Sequence, residues 1–319
     1  MAGETAAMNE ETFTDFLSGL FRQSPDVVCG PGDDAAVLES GIPGQYLLAA
    51  ADQVVQGIHY TPETPPGTVA EKLLKRNLSD IAAMGGVPRF ALVTLSANPL
   101  DSGWMRDFHM GLESAARRYD VSVIGGDIAS QPSPGLTASL TILGTVSADR
   151  LCLRSLAEEG DLLYCTGELG NSFRSGHHLN FTPRLREASV LAGRFTHAMM
   201  DISDGLLKDA ARMAAASGLS LVFDGASALP LRAGADVRSA LSEGEDYELI
   251  FAVAPASAGE LEEVCNAEYI KISRIGVFRK GRQGDVSFAD GGAELDLLDF
   301  SDKEGFDHFH GDKRQSQEE

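Results

Sequence analysis

Carboxylates recur in this chain where an apolar segment begins or ends. GPGDDAAVLES (Gly30–Ser40) sets Asp33 and Asp34 between a Gly-Pro-Gly turn and the apolar run Ala35–Leu38. YLLAAAD (Tyr46–Asp52) reads as a buried strand ending on Asp52. VSVIGGD ends another on Gly125, Gly126 and Asp127, and glycines let backbone approach a ligand closely. MMDISDGLL places Asp201 and Asp204 three apart at the opening of a helix, where Asp204 also suits a dipole partner in the first turn. SEGEDYELIF carries Glu245, Asp246 and Glu248 into a strand. Any one of these alone is a turn or a cap. Together they offer what hard divalent cations need, oxygen ligands in numbers, with Mg²⁺ held by carboxylates and substrate phosphates.

A helix carries the most telling carboxylate. PPGTVAEKLLKRNLSDIAAMGG predicts a helix over 68–84, opened by a Thr68/Glu71 capping box and stopped by Gly85. Heptad spacing puts Leu73, Asn77, Asp80 and Met84 on its inward stripe, with Ile81 beside it. A buried carboxylate needs a cation, donors or water, so Asp80 either serves a site or lies on a helix turned outward.

Around these residues strands and helices alternate. Strands are predicted at Phe90–Ser96, Val121–Ile124 and Leu136–Val146, with a helix over Asp101–Tyr119. The pattern relaxes in SADRLCLRSLAEEG, which divides the chain into residues 1–147 and 148–319. A second alternation follows: DLLYCTG, a helix near Ile202–Ser217, strands at Leu219–Phe223 and Tyr247–Val253, a helix near Ala256–Cys265 and a strand around Ile270–Val277. This is an α/β or α+β chain of two domains. An amphipathic piece around Phe13, Phe16, Leu17 and Leu20 leads it, and the polar tail GDKRQSQEE is expected to be disordered.

Composition excludes several functions. Across 319 residues, 47 acidic against 26 basic side chains give a net charge of −21, which repels nucleic acid. No apolar run is long enough to span a bilayer, and MAGETAAMNEET lacks a signal-peptide core, so membrane association is not expected. Cys29, Cys152, Cys165 and Cys265 lack CxxC spacing, which suits core residues in a reducing cytoplasm. GVFRKGRQ (Gly276–Gln283) has the glycines of a Walker A loop but Arg282-Gln283 in place of Lys and Ser/Thr, and reads as a basic turn. His177 and His178 have no partner at zinc-ligand spacing and are expected at the surface.

The motifs GPGDDAAVL, AAD…GIHY, NLSDIAAMGG, IGGD, DISDGL, GEDYEL and GFDHF stand in an order that resembles bacterial thiamine-monophosphate kinases over nearly the whole chain. These belong to the aminoimidazole-ribonucleotide synthetase-like superfamily, which binds ATP without a Walker A loop. The resemblance implies transfer of the ATP γ-phosphoryl group to thiamine monophosphate, giving thiamine diphosphate. It implies an N-terminal mixed sheet pairing across a homodimer, and a C-terminal α/β domain. By motif position Asp34, Asp52, Asp80, Asp127 and Asp201 are the implied Mg²⁺ ligands, with Asp204 a further one; Asp34, Asp80, Asp127 and Asp201 carry catalysis. Gly126, Asp127, Arg154 and Ser203 match nucleotide contacts. His59 and Glu245 match positions that hold thiamine phosphate, and Phe306 an aromatic that packs on it.

The chain departs from that pattern in one place that bears on metal binding. Where the family reads Ser-Thr-Asp, it has Ala50-Ala51-Asp52, so both hydroxyls are absent. IASQPS after Asp127 lacks the usual threonines, and GNSFRSGHHLNF lacks the family's small-residue pattern. Rivals are therefore a related ATP-using activity on another small phosphorylated substrate, and a non-catalytic nucleotide binder.

Overall fold

The structure is a computed structural model and describes residues 21–289 together with Phe13, Phe16, Leu17, Gly19 and Leu20. Phe306 and the polar tail lie outside the described residues. The first half is a six-stranded mixed sheet in the order β1-β2-β3-β6-β4-β5. Its strands are β1 (Val27–Cys29), β2 (Ala36–Glu39), β3 (Gln45–Val55), β4 (Val87–Asn98), β5 (Ser122–Ser130) and β6 (Gly135–Ser147). Only the β4–β5 pair is parallel. Helices α1 (Pro66–Ala83) and α2 (Ser102–Arg118) cover one face. Alternation explains the layering: Leu48, Val54, Val93, Leu95, Leu140 and Ile142 point inward to Val69, Leu73, Leu78 and Phe108 of the helices.

The opposite face carries no element of this chain among the described residues. Leu47, Phe90 and Leu92 are exposed there. The edge strand β5 is exposed at all nine positions. This corrects the expectation of a buried strand ending at Asp127. The strand runs on to Ser130, with Gly126 and Asp127 in its middle. Gly126 is needed for close packing, because a Cβ there would stand 1.7 Å from the Val93 carbonyl oxygen of β4.

The second half is another six-stranded sheet, ordered β12-β9-β11-β7-β10-β8 and antiparallel except for β12–β9. Its strands are β7 (Leu162–Thr166), β8 (Met199–Asp201), β9 (Ser220–Phe223), β10 (Leu249–Val253), β11 (Ile272–Arg279) and β12 (Val286–Phe288). Helices α3 (His177–Asn180), α4 (Leu185–Leu191), α5 (Leu206–Ala216), α6 (Val237–Ser242) and α7 (Ala258–Ala267) surround it. Helix α1 belongs to both halves. Its last turn, Ala82 and Ala83, is buried in a core shared with Cys152, Tyr164, Leu191, Met199 and Phe251.

Two local readings change. Helix α1 begins at Pro66, with Pro65 as cap and no side-chain cap bond, so the Thr68/Glu71 capping box does not form. Proline suits the first turn, which spends no N–H there. Glu71 pairs instead with Lys75 at 3.4 Å and Arg118 at 2.9 Å. His177 and His178 are half-buried rather than superficial, their rings bonded to the carbonyl oxygens of Asp246 and Ser172 at 2.8 and 3.0 Å. Cys152, Cys165 and Cys265 are buried core residues, and Cys29 is half-buried.

Candidate active site

A polar cavity of about 260 Å³ opens between the two halves. From the first half come Asp33 and Asp34 ahead of β2, Ala51 and Asp52 of β3, Ile58 and His59 beyond it, and Arg76 and Asp80 of α1. The second half contributes Arg154 and Phe173, then Asp201, Ser203 and Asp204 around β8, Arg212 of α5, and Glu245 and Tyr247 ahead of β10. Nine of the predicted site residues therefore meet: Asp34, Asp52, His59, Asp80, Arg154, Asp201, Ser203, Asp204 and Glu245. Gly126 and Asp127 do not line the cavity of this single chain; they lie exposed on β5.

The two adjacent aspartates divide the work. Asp33 Oδ1 accepts the backbone N–H of Asp34 at 2.9 Å, and Asp33 Oδ2 that of Arg154 at 3.1 Å. Asp34 Oδ1 accepts the Arg154 guanidinium at 2.6 Å. Its other oxygen, Oδ2, is buried without a hydrogen-bond partner among the described residues. Burial pushes the Asp34 carboxyl up to about 6, with Arg154 opposing the shift and Asp33 adding to it. A buried carboxylate oxygen left unmatched is costly unless a ligand or cation completes it.

Asp80 projects from α1 into this wall, as the inward stripe predicts. Its carboxylate accepts no hydrogen bond from a described residue, and its pKa lies well above the ordinary range. Burial is the main cause, followed by repulsion from Asp52, Asp201 and Asp34. Asp201 is raised likewise, first by burial and then by Asp34, although Ser79 Oγ donates to its Oδ2 at 2.6 Å. Arg76 holds Asp52 through Nε and Nη2 at 3.2 and 3.3 Å. At the far side burial would raise Asp204, but Arg212 at 2.7 Å and Lys208 at 3.0 Å outweigh it and hold the carboxyl below its ordinary value. Among the described residues no trio of His, Cys, Asp or Glu has converged at metal-binding geometry. The oxygens are instead braced by guanidinium and hydroxyl groups. Their chemistry still suits a hard cation: several carboxylates in mutual repulsion, one with an unmatched oxygen.

The segment ahead of β10 resolves three candidate carboxylates into one. Glu245 faces the cavity, and Lys72 Nζ donates to its Oε2 at 2.6 Å and to the His59 carbonyl at 2.7 Å. Asp246 turns away to Arg232, Ser172 Oγ and the Gly170 N–H at 2.7, 2.7 and 3.0 Å. Glu248 is clasped by Arg184 and Thr166. The last two are structural.

Sequence reasoning found Arg154 but missed Lys72, Arg76, Arg212 and Tyr247. Lys72, Arg76 and Asp80 stand four apart on α1, a stripe of two cations and a carboxylate beside the apolar face that was legible in KLLKRNLSD. Arg212 had no such signal, because its role depends on α5 packing beside β8. Of the two alanines, Ala50 is buried in the core at 8% exposure, and only Ala51 lines the cavity.

Two α/β halves that enclose an acidic, arginine-braced cleft, with no Walker loop, define an AIR synthase related protein. The N-terminal domain of that family matches residues 32–146 and its C-terminal domain residues 154–288. The thiamine-monophosphate kinase of Rhodopirellula baltica is 38% identical, the match covering 79% of this chain and 84% of the relative. That of Salmonella typhimurium is 33% identical over 89% and 93%. The solved structure of AaThiL complexed with AMPPCP and TMP superposes with a TM-score of 0.79 at 25% identity, covering 96% of this chain and all of that one. The chain belongs to the thiamine-monophosphate kinase family and is a phosphotransferase.

Proposed function

We propose that this cleft moves the γ-phosphoryl group of ATP onto thiamine monophosphate, giving thiamine diphosphate. The observation that carries the proposal is the convergence of Asp34, Asp52, Asp80 and Asp201 from both halves on one cavity. A site for two phosphorylated anions needs positive charge between them, and the carboxylates are suited to hold it as Mg²⁺. Bound there, the ions neutralise and align donor and acceptor phosphates, which is most of the catalysis in phosphoryl transfer. Asp34, Asp52, Asp80 and Asp201 are the proposed ligands, and Asp204 a further one. Arg154 and Ser203 are assigned to the nucleotide and His59 and Glu245 to thiamine monophosphate. Phe306, outside the described residues, is assigned to pack on the thiamine.

Gly126 and Asp127 join this assignment only across a homodimer. The uncovered sheet face, with Phe90, Leu92 and Leu47 exposed beside the apolar β5 residues Val123, Ile124 and Ile128, supports such pairing. The division into residues 1–147 and 148–319 is supported by the two sheets. Among the described residues no helix is long and apolar enough to cross a membrane, and we place the enzyme in the cytoplasm. Incubation with Mg²⁺-ATP and thiamine monophosphate, followed by separation of products, is expected to yield thiamine diphosphate. Hydrolysis of ATP without it would overturn the proposal.

A further inference from the structure

Tyr247 is a buried aromatic held in an unusual backbone conformation in the cavity wall. It is 2% exposed, and its φ is +49°, which a bulky side chain rarely adopts. Glu245 has φ +56°, so the strain brackets Asp246. Neighbouring contacts hold the segment there. Asp246 is bound to Arg232, Ser172 and Gly170 behind it, Glu245 to Lys72, and the Tyr247 ring stacks on Phe181 with centroids 4.0 Å apart. Such strain persists where surroundings over-determine it, and it collects at binding sites.

The product of this arrangement is a hydroxyl with nothing to do in the protein. Tyr247 Oη is buried and has no hydrogen-bond partner among the described residues, although the residue lines the cavity. Its charged surroundings are the Arg76 guanidinium and the carboxylates of Glu245, Asp52 and Asp201, none of which bonds to it. An O–H in that position asks for an acceptor brought by a ligand. Beside Arg76 the fitting acceptor is an anionic oxygen. The cationic thiazolium of thiamine is repelled by the guanidinium and drawn toward Glu245, which leaves its phosphate for the hydroxyl.

We infer that the Tyr247 hydroxyl, presented by the strained Glu245–Tyr247 segment, donates a hydrogen bond to the phosphate of the acceptor substrate. The inference rests on the proposed function, which assigns the Glu245 and His59 end of the cleft to that substrate. The hydroxyl then acts as a specificity element, rewarding thiamine monophosphate over unphosphorylated thiamine.

The test compares the full chain with Tyr247→Phe, which keeps the ring on Phe181 and removes only the hydroxyl. Calorimetric titration in Mg²⁺ buffer with thiamine monophosphate and, separately, with thiamine gives the phosphate preference of each protein. Loss of a hydrogen bond to a charged group is expected to weaken thiamine monophosphate binding about tenfold, leave thiamine binding unchanged and raise the KM for thiamine monophosphate correspondingly. The KM for ATP should stay within about twofold, while the thermal midpoint without ligand stays level or rises because an unmatched buried hydroxyl is gone. An equal phosphate preference in both proteins would overturn the inference, as would a raised KM for ATP alone. Failure of the unmutated chain to bind thiamine monophosphate or form thiamine diphosphate would instead remove the proposed function, and this inference with it.

Discussion

Lys72 Nζ lies 2.6 Å from Glu245 Oε2, joining helix α1 of the first half to the segment ahead of β10 in the second. The lysine side chain is fully buried and the glutamate side chain is 11% exposed. The pair holds an assigned substrate residue to the opposite wall of the cleft. Breaking a buried pair on one side leaves a charge without compensation. Lys72→Met should cost about 3–5 kcal/mol of stability in urea unfolding. Adding Glu245→Gln should recover part of it, a coupling that a double-mutant cycle would read directly.

Asp80→Asn should separate function from stability. The substitution removes a buried charge repelled by Asp52, Asp201 and Asp34. The unfolding midpoint without Mg²⁺ should hold or rise, while turnover falls by about 10²–10³-fold, the scale of losing one electrostatic group in such a site. Full turnover at saturating Mg²⁺ would exclude Asp80 as a ligand.

Buried carboxylates should also set the pH dependence of the unliganded protein, those of the acidic wall together with Asp209 of α5 and Asp246 behind it. Asp34, Asp209 and Asp246 are pushed up to about 6, chiefly by burial, and burial with neighbouring carboxylates raises Asp80 and Asp201 well above the ordinary range too. Between about pH 4 and 6 the folded chain therefore holds more protons at these groups than the unfolded chain, so stability declines as pH rises. His177 opposes this. Burial lowers it to about 4, so the unfolded state gains its proton first as pH falls. Five carboxylates against one histidine leave a thermal midpoint that should drop between about pH 4 and 6. Mg²⁺ with ATP should flatten that slope and add about 2.7 kcal/mol at roughly 100 times the dissociation constant.

The alanines at 50 and 51 should behave differently. Only Ala51 reaches the cavity, so Ala51→Thr should lower the Mg²⁺ concentration needed for half-maximal turnover. Ala50→Ser places a hydroxyl in the core and should reduce stability without changing Mg²⁺ dependence. If both variants match the parent in Mg²⁺ titration, the backbone or water supplies the missing oxygens.

Assembly can be read by light scattering at micromolar concentration, where a dimer is expected. Replacing Ile124 on the exposed edge strand with Lys should shift the population toward monomer and lower turnover together, since Asp127 stands three residues away.

How far the sequence reached depends on the distance over which each feature is determined. Asp80 was legible because helical periodicity is local: a carboxylate on an inward stripe is conspicuous within four turns. Asp201 was legible because it closes an apolar strand, and Asp52 because it follows an apolar run, although β3 does not end on it as expected but continues to Val55. The burial of β5 was misjudged because VSVI reads as core whether a sheet face or a second subunit covers it. The division among Glu245, Asp246 and Glu248 depends on positive φ at Glu245 and Tyr247, which no residue type there announces. The role of Lys72 follows from a pairing with Glu245 far along the chain, which exists only once the halves have met, whereas Arg212 is braced locally by Asp204 and Asp209 and reaches the cavity only through the packing of α5.

Helix α1 has a consequence for how the protein folds. Its early turns lie on the first sheet, its last turn is sealed in the core of the second, and Lys72 and Ser79 reach across to Glu245 and Asp201. A boundary in the chain is then not a boundary in cooperativity. Severed near residue 150, the first fragment would keep α1 but expose the face made for its neighbour, and neither fragment would hold the native fold alone. Heat or urea should melt the chain in one transition, with amides of α1 and of β10 exchanging at the same rate-limiting opening. A chimaera that exchanges halves between relatives should regain stability only when α1 is taken with the half it plugs.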